Sequence, residues 1–424
     1  MSDLLAELEW RGFVHHATKD LAAHLATGRR TLYCGFDPTA PSFQVGNLMP
    51  LMLLRHFQLA GHRPIVLMGG GTGLIGDPSG KQSERPLLSE EQIRENVRRQ
   101  RDQLVRLFDF DAKETRVLVL NNADWLVEQR LVAFLRDVGK HFSVNVMMQK
   151  ESVKARLDAG ISYTEFSYML LQAYDFLHLS RKEQCTIQVG GSDQWGNITA
   201  GIDLIRRVEG GEAHGLVGPL FTTASGAKFG KTEGGAVWLD PALTSPYQFY
   251  QFWINTDDRD AERCLKLFTL LSQDEIQALL RSHDKDPSRR EAQKRLASEV
   301  TQLVHGKQAC ASAVAASAIL FDEFSPREVE PSAFDVLAQE IPAVAVSNSD
   351  SLTLVDALVQ AGLVKSKSEA RRAIEQGGIY LNQERVKEVD RRIEPGDWLG
   401  ARNILLRKGK KDYAMLRVES GGGR

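Results

Sequence analysis

Cysteine is scarce in this 424-residue chain. Its four residues, Cys34, Cys185, Cys264 and Cys310, stand far apart and show none of the paired spacings that disulfide frameworks or zinc sites use. They read as reduced thiols, and no metal held by protein ligands is expected. No apolar run approaches the roughly 18 residues that a membrane span needs, so no membrane partner is expected either. Met1 to Trp10 mixes Asp3, Glu7 and Glu9 with leucines and lacks both the basic start and the apolar centre of a secretion signal; the cytoplasm is the expected location. Internal repeats are missing, as is low complexity apart from Gly421 to Gly423. Net charge is low in total but not evenly spread. From Ser351 onward there are 15 Lys and Arg against 10 Asp and Glu, which leaves the preceding chain near −7 within a total of −2.

What is present is an ordinary soluble composition, 42% apolar and 25% charged, on a length that suits two or three domains. Short apolar runs rich in β-formers alternate with helical patterns at Thr31 to Phe36, Pro64 to Gly69, Arg116 to Leu120 and Cys185 to Val189. That alternation predicts a parallel α/β sheet. Gly46 to Gly61 carries Leu48, Leu51, Met52, Leu54 and Phe57 at helical spacing, which makes a strand, helix, strand unit. Ligands of open sheets bind beyond the carboxyl ends of the strands, so the turns at Asp37, Gly70 and Gly190 should face one cleft. Pro246 to about Phe324 is helical in pattern. Residues 325–350, with Pro326, Pro331 and Pro342, predict a linker, and a small separate domain follows.

Four segments carry polar chemistry. Tyr33-Cys34-Gly35-Phe36-Asp37-Pro38-Thr39 ends a strand and leads through Gln44-Val45-Gly46-Asn47 into a helix, whose free N–H groups suit a phosphate. Gly46 removes a Cβ where a purine or phosphate would approach, although such a turn is also common as plain structure. Tyr168, Gln172 and Asp175 share one face of a predicted helix among Phe166, Leu170, Leu171 and Phe176; a polar ligand between apolar walls explains them more economically than a polar core does. Gly190-Gly191-Ser192-Asp193-Gln194-Trp195-Gly196-Asn197 follows a strand, with Asp193 placed to accept from sugar hydroxyls, and the run from Gly69 leads to Asp77, a carboxylate able to hold an ammonium group. Lys228-Phe229-Gly230-Lys231-Thr232 reads as a mobile basic loop that could close on polyphosphate, or as merely solvated lysines.

Taken in order, Tyr33 to Thr39, Gly76-Asp77-Pro78-Ser79, Gly191 to Asn197 and Lys228 to Thr232 resemble the bacterial-type tyrosyl-tRNA synthetases, a class I family. The resemblance implies a Rossmann-like catalytic domain over 1–223, the lysine loop and a helical anticodon-side domain over 224–324, and a small α+β RNA-binding domain over 351–424. It implies activation of L-tyrosine by ATP, taken with Mg2+, followed by transfer to the 3′ end of tRNA(Tyr), without a covalent enzyme intermediate. Thr39, Gln44, Asn47, Lys81, Arg85, Lys228, Lys231 and Thr232 would surround the phosphates. Tyr33 and Asp175 would bond the phenol hydroxyl, Asp77, Tyr168 and Gln172 the α-amino group, with Asn122 in support. Cys34, Gly35, Asp37, Gly46, Gly191, Asp193, Gln194 and Lys231 would serve ATP. The tail resembles a small ribosomal RNA-binding domain through Ser366 to Arg372 and Gly377 to Asn382, and its Lys365, Lys367, Arg371 and Arg372 would meet tRNA. A homodimer with Phe134 to Phe142 at its interface is implied as well.

One departure stands out. Family members carry His-x-Gly-His or His-x-Gly-Asn at the helix start, and here Gln44 replaces the first histidine. A neutral amide cannot lend an imidazolium's charge to the β- and γ-phosphates, and losing one such donor costs about 3 kcal/mol. Two readings follow: a working synthetase that tolerates Gln44, or a relative with weakened catalysis that acts mainly as an RNA-binding protein.

Overall fold

The computed structural model describes residues 4–79, 87–150, 153–154, 160–226, 229–232, 235–321, 326–346 and 352–418, with backbone alone for 231, 232 and 328. The chain divides into two units, Met1–Ser245 with Phe252–His305 and Pro246–Gln251 with Gly306–Arg424.

Six strands build the sheet of the first unit: β1 (His16–Ala17), β2 (Thr31–Phe36), β3 (Arg63–Met68), β4 (Leu118–Asn121), β5 (Cys185–Gly191) and β6 (His214–Gly218). Their order is β1-β6-β5-β2-β3-β4, with all neighbours parallel except β1, which runs against β6. β2 and β3 are buried almost throughout, as strands with both faces covered must be. The chain builds outward from β2 to β4 and then returns to the other side of β2 with β5 and β6. The order therefore reverses between β2 and β5, and a cleft opens beyond their carboxyl ends.

The expected strands are present, with bounds shifted by up to about two residues. β6 escaped sequence reading because its His-Gly-Leu-Val-Gly run is weak in strand formers. Packing requires one of its glycines: a Cβ on Gly215 would meet the branched Ile198 side chain at 2.6 Å. The Val45–Leu59 helix buries Leu48, Leu51, Met52, Leu54 and Phe57, the stripe read from the sequence, and the chain turns away at Gly61 with φ +95°. A long helix, Tyr163–Glu183, begins at Ser162, whose hydroxyl accepts from the Glu165 N–H at 3.2 Å. A short hairpin, β7 (Lys231–Thr232) with β8 (Gly235–Ala236), lies within the segment expected to be loop.

Helices Asp258–Phe268, Gln273–His283 and Glu291–His305 fall in the first unit. Buried Arg11 shows why: from the Leu4–Arg11 helix it donates to the carbonyls of Lys266, Thr269 and Leu271, contacts more than 250 residues away that no local pattern reveals. The stretch read as a linker also carries structure, a helix Pro331–Glu340 and strand β9 (Ala343–Val346). Its prolines mark edges: Pro331 occupies the first helical position, where the missing N–H costs nothing.

In the second unit β9 joins β10 (Ile379–Leu381), β11 (Glu384–Val386), β12 (Asn403–Lys408) and β13 (Asp412–Val418) in the order β11-β10-β12-β13-β9. Helices Leu354–Gln360 and Lys367–Glu375 pack Leu354, Leu358, Ala370 and Ile374 into the same core as Ile379, Ile404 and Leu416.

Candidate active site

A cavity of about 640 Å³ occupies the cleft where the strand order reverses. Its closed end lies between β2 and the Tyr163–Glu183 helix. There Tyr33, 1% exposed, carries a hydroxyl with no hydrogen-bond partner. Burial, and the nearby Asp175, push this phenol well above its ordinary range, so it remains a donor. Asp175 is equally buried. Its Oδ1 accepts from Trp125 Nε1 at 2.7 Å and its Oδ2 from Asn122 Nδ2 at 2.8 Å. Burial raises its pKa to about 7, against the two donors that favour the charged form.

Asn122 joins this pair to the rest of the wall. It also donates to Thr72 Oγ1 at 3.0 Å, while its own carbonyl accepts from the Gly71 N–H at 2.7 Å. Thr72 and Tyr168 each donate to Asp37, at 2.7 and 2.9 Å. Burial is the largest cause of the raised Tyr168 pKa, followed by Asp37, so this phenol also remains protonated. Along the same wall Asp77 accepts from the Ser79 N–H at 2.9 Å and from Gln194 Nε2 at 2.7 Å. Gln172 donates to Gln194 at 3.2 Å and accepts from Asn197 at 3.0 Å. The spacing of Tyr168, Gln172 and Asp175 does place all three on the cavity wall. Two carboxylates, Asp37 and Asp77, thus line the cavity within one polar network, which suits a cation.

The open end is lined by Cys34, Gly35, Thr39, Gln44, Gly46 and Asn47. Two kinds of glycine are distinguishable. A Cβ on Gly69 or Gly70 would strike Asp37 or Asn121, so protein packing demands those glycines. Gly35 and Gly46 have no positive φ, and a Cβ there would meet nothing within 4 Å; it would project where a ligand approaches. The Gln44 N–H donates to Asn47 Oδ1 at 2.9 Å, which turns the amide nitrogen of Asn47 the other way. Cys34 is pushed up to about 12, by burial first and then by Asp193, and stays a thiol. Gly191 and Asp193 line the same end from the turn after β5.

Lys81, Arg85 and Lys228 lie outside the described residues; for Lys231 and Thr232 the backbone in β7 is described. Sequence reading missed Thr72, Trp125 and Asn197 as members of the network. Trp125 sits in no motif-like run, whereas Thr72 lies in the glycine run from Gly69 and Asn197 closes the Gly190 to Asn197 segment, with no bonding role assigned to either from sequence. In the second unit Lys365, Lys367, Arg371 and Arg372 are exposed, with Lys367 paired to Asp356 at 2.6 Å.

Comparison with known proteins agrees with this geometry. The family described as tRNA synthetases class I (W and Y) matches residues 25–322, and the Tyrosine--tRNA ligase SYY-like C-terminal domain matches residues 333–416. The chain belongs to the class I tRNA synthetases of the tryptophan and tyrosine group. Within that group it falls among the bacterial tyrosine–tRNA ligases: it is 53% identical over 420 residues to that of Anaeromyxobacter dehalogenans, covering 99% of this chain and all of the relative. The Bacillus subtilis tyrosine–tRNA ligase 1 is 50% identical over 422 residues, covering 98% of this chain and 99% of its own. Among solved structures, a C-terminally truncated mitochondrial tyrosyl-tRNA synthetase of Coccidioides posadasii superposes with a TM-score of 0.66 at 33% identity, over 74% of this chain and 91% of that one.

Proposed function

We propose that the chain joins L-tyrosine to tRNA(Tyr) in two steps within this one cavity. The observation that carries the reading is the partnerless Tyr33 hydroxyl beside Asp175 at the closed end. A buried hydroxyl left unpaired costs about 1–3 kcal/mol, and a substrate phenol that accepts from Tyr33 and donates to Asp175 completes both groups. Phenylalanine would leave them unpaired, and the family is itself the standard example of such discrimination.

With the phenol at the closed end, the α-ammonium of the substrate falls to Asp77, Tyr168 and Gln172, with Asp37 adding charge. The carboxylate then faces the open end, where ATP enters as its magnesium complex. In the first step a carboxylate oxygen forms a bond to the α-phosphorus, the bond to the bridging oxygen breaks, and pyrophosphate leaves with the electron pair. Gly46 admits the nucleotide to the helix N-terminus. Gln44, Asn47, Thr39, Lys81, Arg85, Lys228, Lys231 and Thr232 stabilise the charge that moves onto the leaving group. Cys34, Gly35, Gly191 and Asp193 hold the adenosine, and Gln194 stands near the reacting carboxylate. In the second step a ribose hydroxyl of the tRNA attacks the carbonyl carbon and AMP leaves. Lys365, Lys367, Arg371 and Arg372 of the basic second unit bind the RNA backbone.

The chain acts in the cytoplasm as a homodimer. Leu131, Val132, Leu135, Val144, Val146 and Met148 leave large apolar side chains exposed on two short helices, Leu131–Asp137 and Val144–Met148. Phe134 between them is buried, so the exposed neighbours make the contact. Sedimentation equilibrium of wild type and Val132→Asp tests this; a wild-type monomer at micromolar concentration refutes it. For the reaction itself, pyrophosphate exchange into ATP is expected with tyrosine and not with phenylalanine or tryptophan, and exchange equal for all three refutes the phenol reading.

A further inference from the structure

The described residues that flank Lys228 are bonded to the Asp258–Phe268 helix on one side and to the start of the Val45–Leu59 helix on the other. Ahead of Lys228, the Ala224 N–H donates to Asp260 Oδ2 at 2.8 Å, and Asp260 is buried in the first turn of the Asp258–Phe268 helix. Three residues along that helix, the Arg263 guanidinium lies 4.2 Å over the Phe221 ring and reaches the Thr222 carbonyl at 3.4 Å. Directly after Lys228, Phe229 is buried against Phe221 (4.4 Å), Phe268 (5.2 Å) and Trp253 (5.7 Å). Gly230 accepts from the Val237 N–H at 3.0 Å, and Val237 in turn accepts from the Val45 N–H at 3.0 Å, at the start of the helix that opens the phosphate end.

We propose that Asp260 is a positioning residue for adenylate formation, which fixes the entry to the Lys228–Lys231 segment by holding the Ala224 N–H. The reason is entropic and geometric. Without the Asp260 bond the nearest tie ahead of Lys228 moves back from Ala224 to Thr222 and Phe221, and a longer span between ties samples more positions, so the lysine reaches the leaving phosphates less often. Asp260 also sits where a carboxylate favours its own helix N-terminus, and that role alone would affect stability but not the lysine.

The inference rests on the reading of Lys228 as a phosphate-binding group, and the test separates the two. Tyrosine-dependent pyrophosphate exchange is measured for wild type, Asp260→Ala, Asp260→Asn, Lys228→Ala and the double variant Asp260→Ala/Lys228→Ala, with KM for tyrosine and ATP followed apart from kcat. Loss of one ordering hydrogen bond predicts that Asp260→Ala lowers kcat about 5- to 10-fold with KM for tyrosine unchanged. Asp260→Asn keeps an acceptor for the Ala224 N–H and returns to within about 3-fold of wild type. In the Lys228→Ala background Asp260→Ala costs less than about 2-fold, since the group it positions is gone. Equal losses in both backgrounds, a parallel rise in KM for tyrosine, or an asparagine variant no better than alanine overturns the role of Asp260. A Lys228→Ala variant at wild-type rate overturns the reading of the lysine instead. Should Asp260→Ala not fold, Arg263→Ala runs the same cycle, with loss expected only when Lys228 is present.

Discussion

Asp175 sets a pH dependence on tyrosine binding that can be worked through. Its carboxyl titrates at about 7 in the free protein because burial penalises the charge more than Asn122 and Trp125 favour it. Only the carboxylate accepts the substrate hydroxyl, so the competent fraction falls as pH drops through that value. With a pKa of 7 the apparent Kd rises about tenfold from pH 8 to pH 6. At pH 6.5 binding releases about 0.8 proton, and at pH 8 about 0.1. The substrate's phenol titrates well above this window and adds nothing to it. Calorimetric titration of tyrosine without ATP, in two buffers of different ionisation enthalpy, measures both quantities. Trp125→Phe removes a donor to the charged form and moves the midpoint up by about one pH unit. A Kd that stays constant from pH 6 to 8 with no proton release, or a midpoint unmoved in Trp125→Phe, refutes the assignment of Asp175 as the phenol acceptor.

The same raised pKa bears on folding. Since the folded state holds the proton that the unfolded chain releases near pH 4, stability falls as pH rises from about 4 to 7, by about 4 kcal/mol in all. Asp175→Asn is therefore expected to melt higher than wild type at pH 8 and with no gain at pH 4, as read by thermal unfolding. Tyr33→Phe removes one partner of the phenol and should weaken tyrosine binding about 3- to 10-fold while leaving KM for ATP alone, measured by exchange kinetics. Gln44→His returns a chargeable donor to the helix start and should raise the exchange rate by up to about 10², with no change in KM for tyrosine. Arg371→Ala with Arg372→Ala should weaken tRNA binding and flatten its salt dependence without affecting adenylate formation. Lys367→Ala should do less, since that ammonium is already paired with Asp356.

What was legible in the sequence was whatever is written locally. The strand runs at Thr31 and Cys185 and the stripe of the Val45–Leu59 helix follow from periodicity, and the i, i+4, i+7 spacing of Tyr168, Gln172 and Asp175 anticipated a shared wall. What was not legible depends on partners far away in the chain. Thr72 looks like any turn residue until Asp37 and Asn122 arrive from other strands, 35 and 50 residues distant. Trp125 gives no sign that its indole N–H ends on Asp175. The grouping of the 258–305 helices with the first unit is hidden for the same reason, because Arg11 binds carbonyls more than 250 residues away.

That division has a consequence for Gln44. On the proposed reading, substrate choice is made at the closed end, by Tyr33 and by Asp175 with Asn122 and Trp125 bonded to it. Gln44 is fixed instead by its backbone: its N–H is held by Asn47, and it forms an isolated antiparallel bridge with Trp238, two residues beyond β8. Both of those bonds run from the Gln44 backbone and do not depend on which side chain stands there. On the same reading, the cost of an amide there falls on the rate of the first step, and it is bounded by the lysines proposed to act on the same charge. Positions 44 and 231 should therefore couple: Lys231→Ala is expected to cost more in the wild type than in Gln44→His, because a histidine can carry part of the charge that the lysine leaves unmet. Equal cost in the two backgrounds would show that they act on separate parts of the phosphate chain.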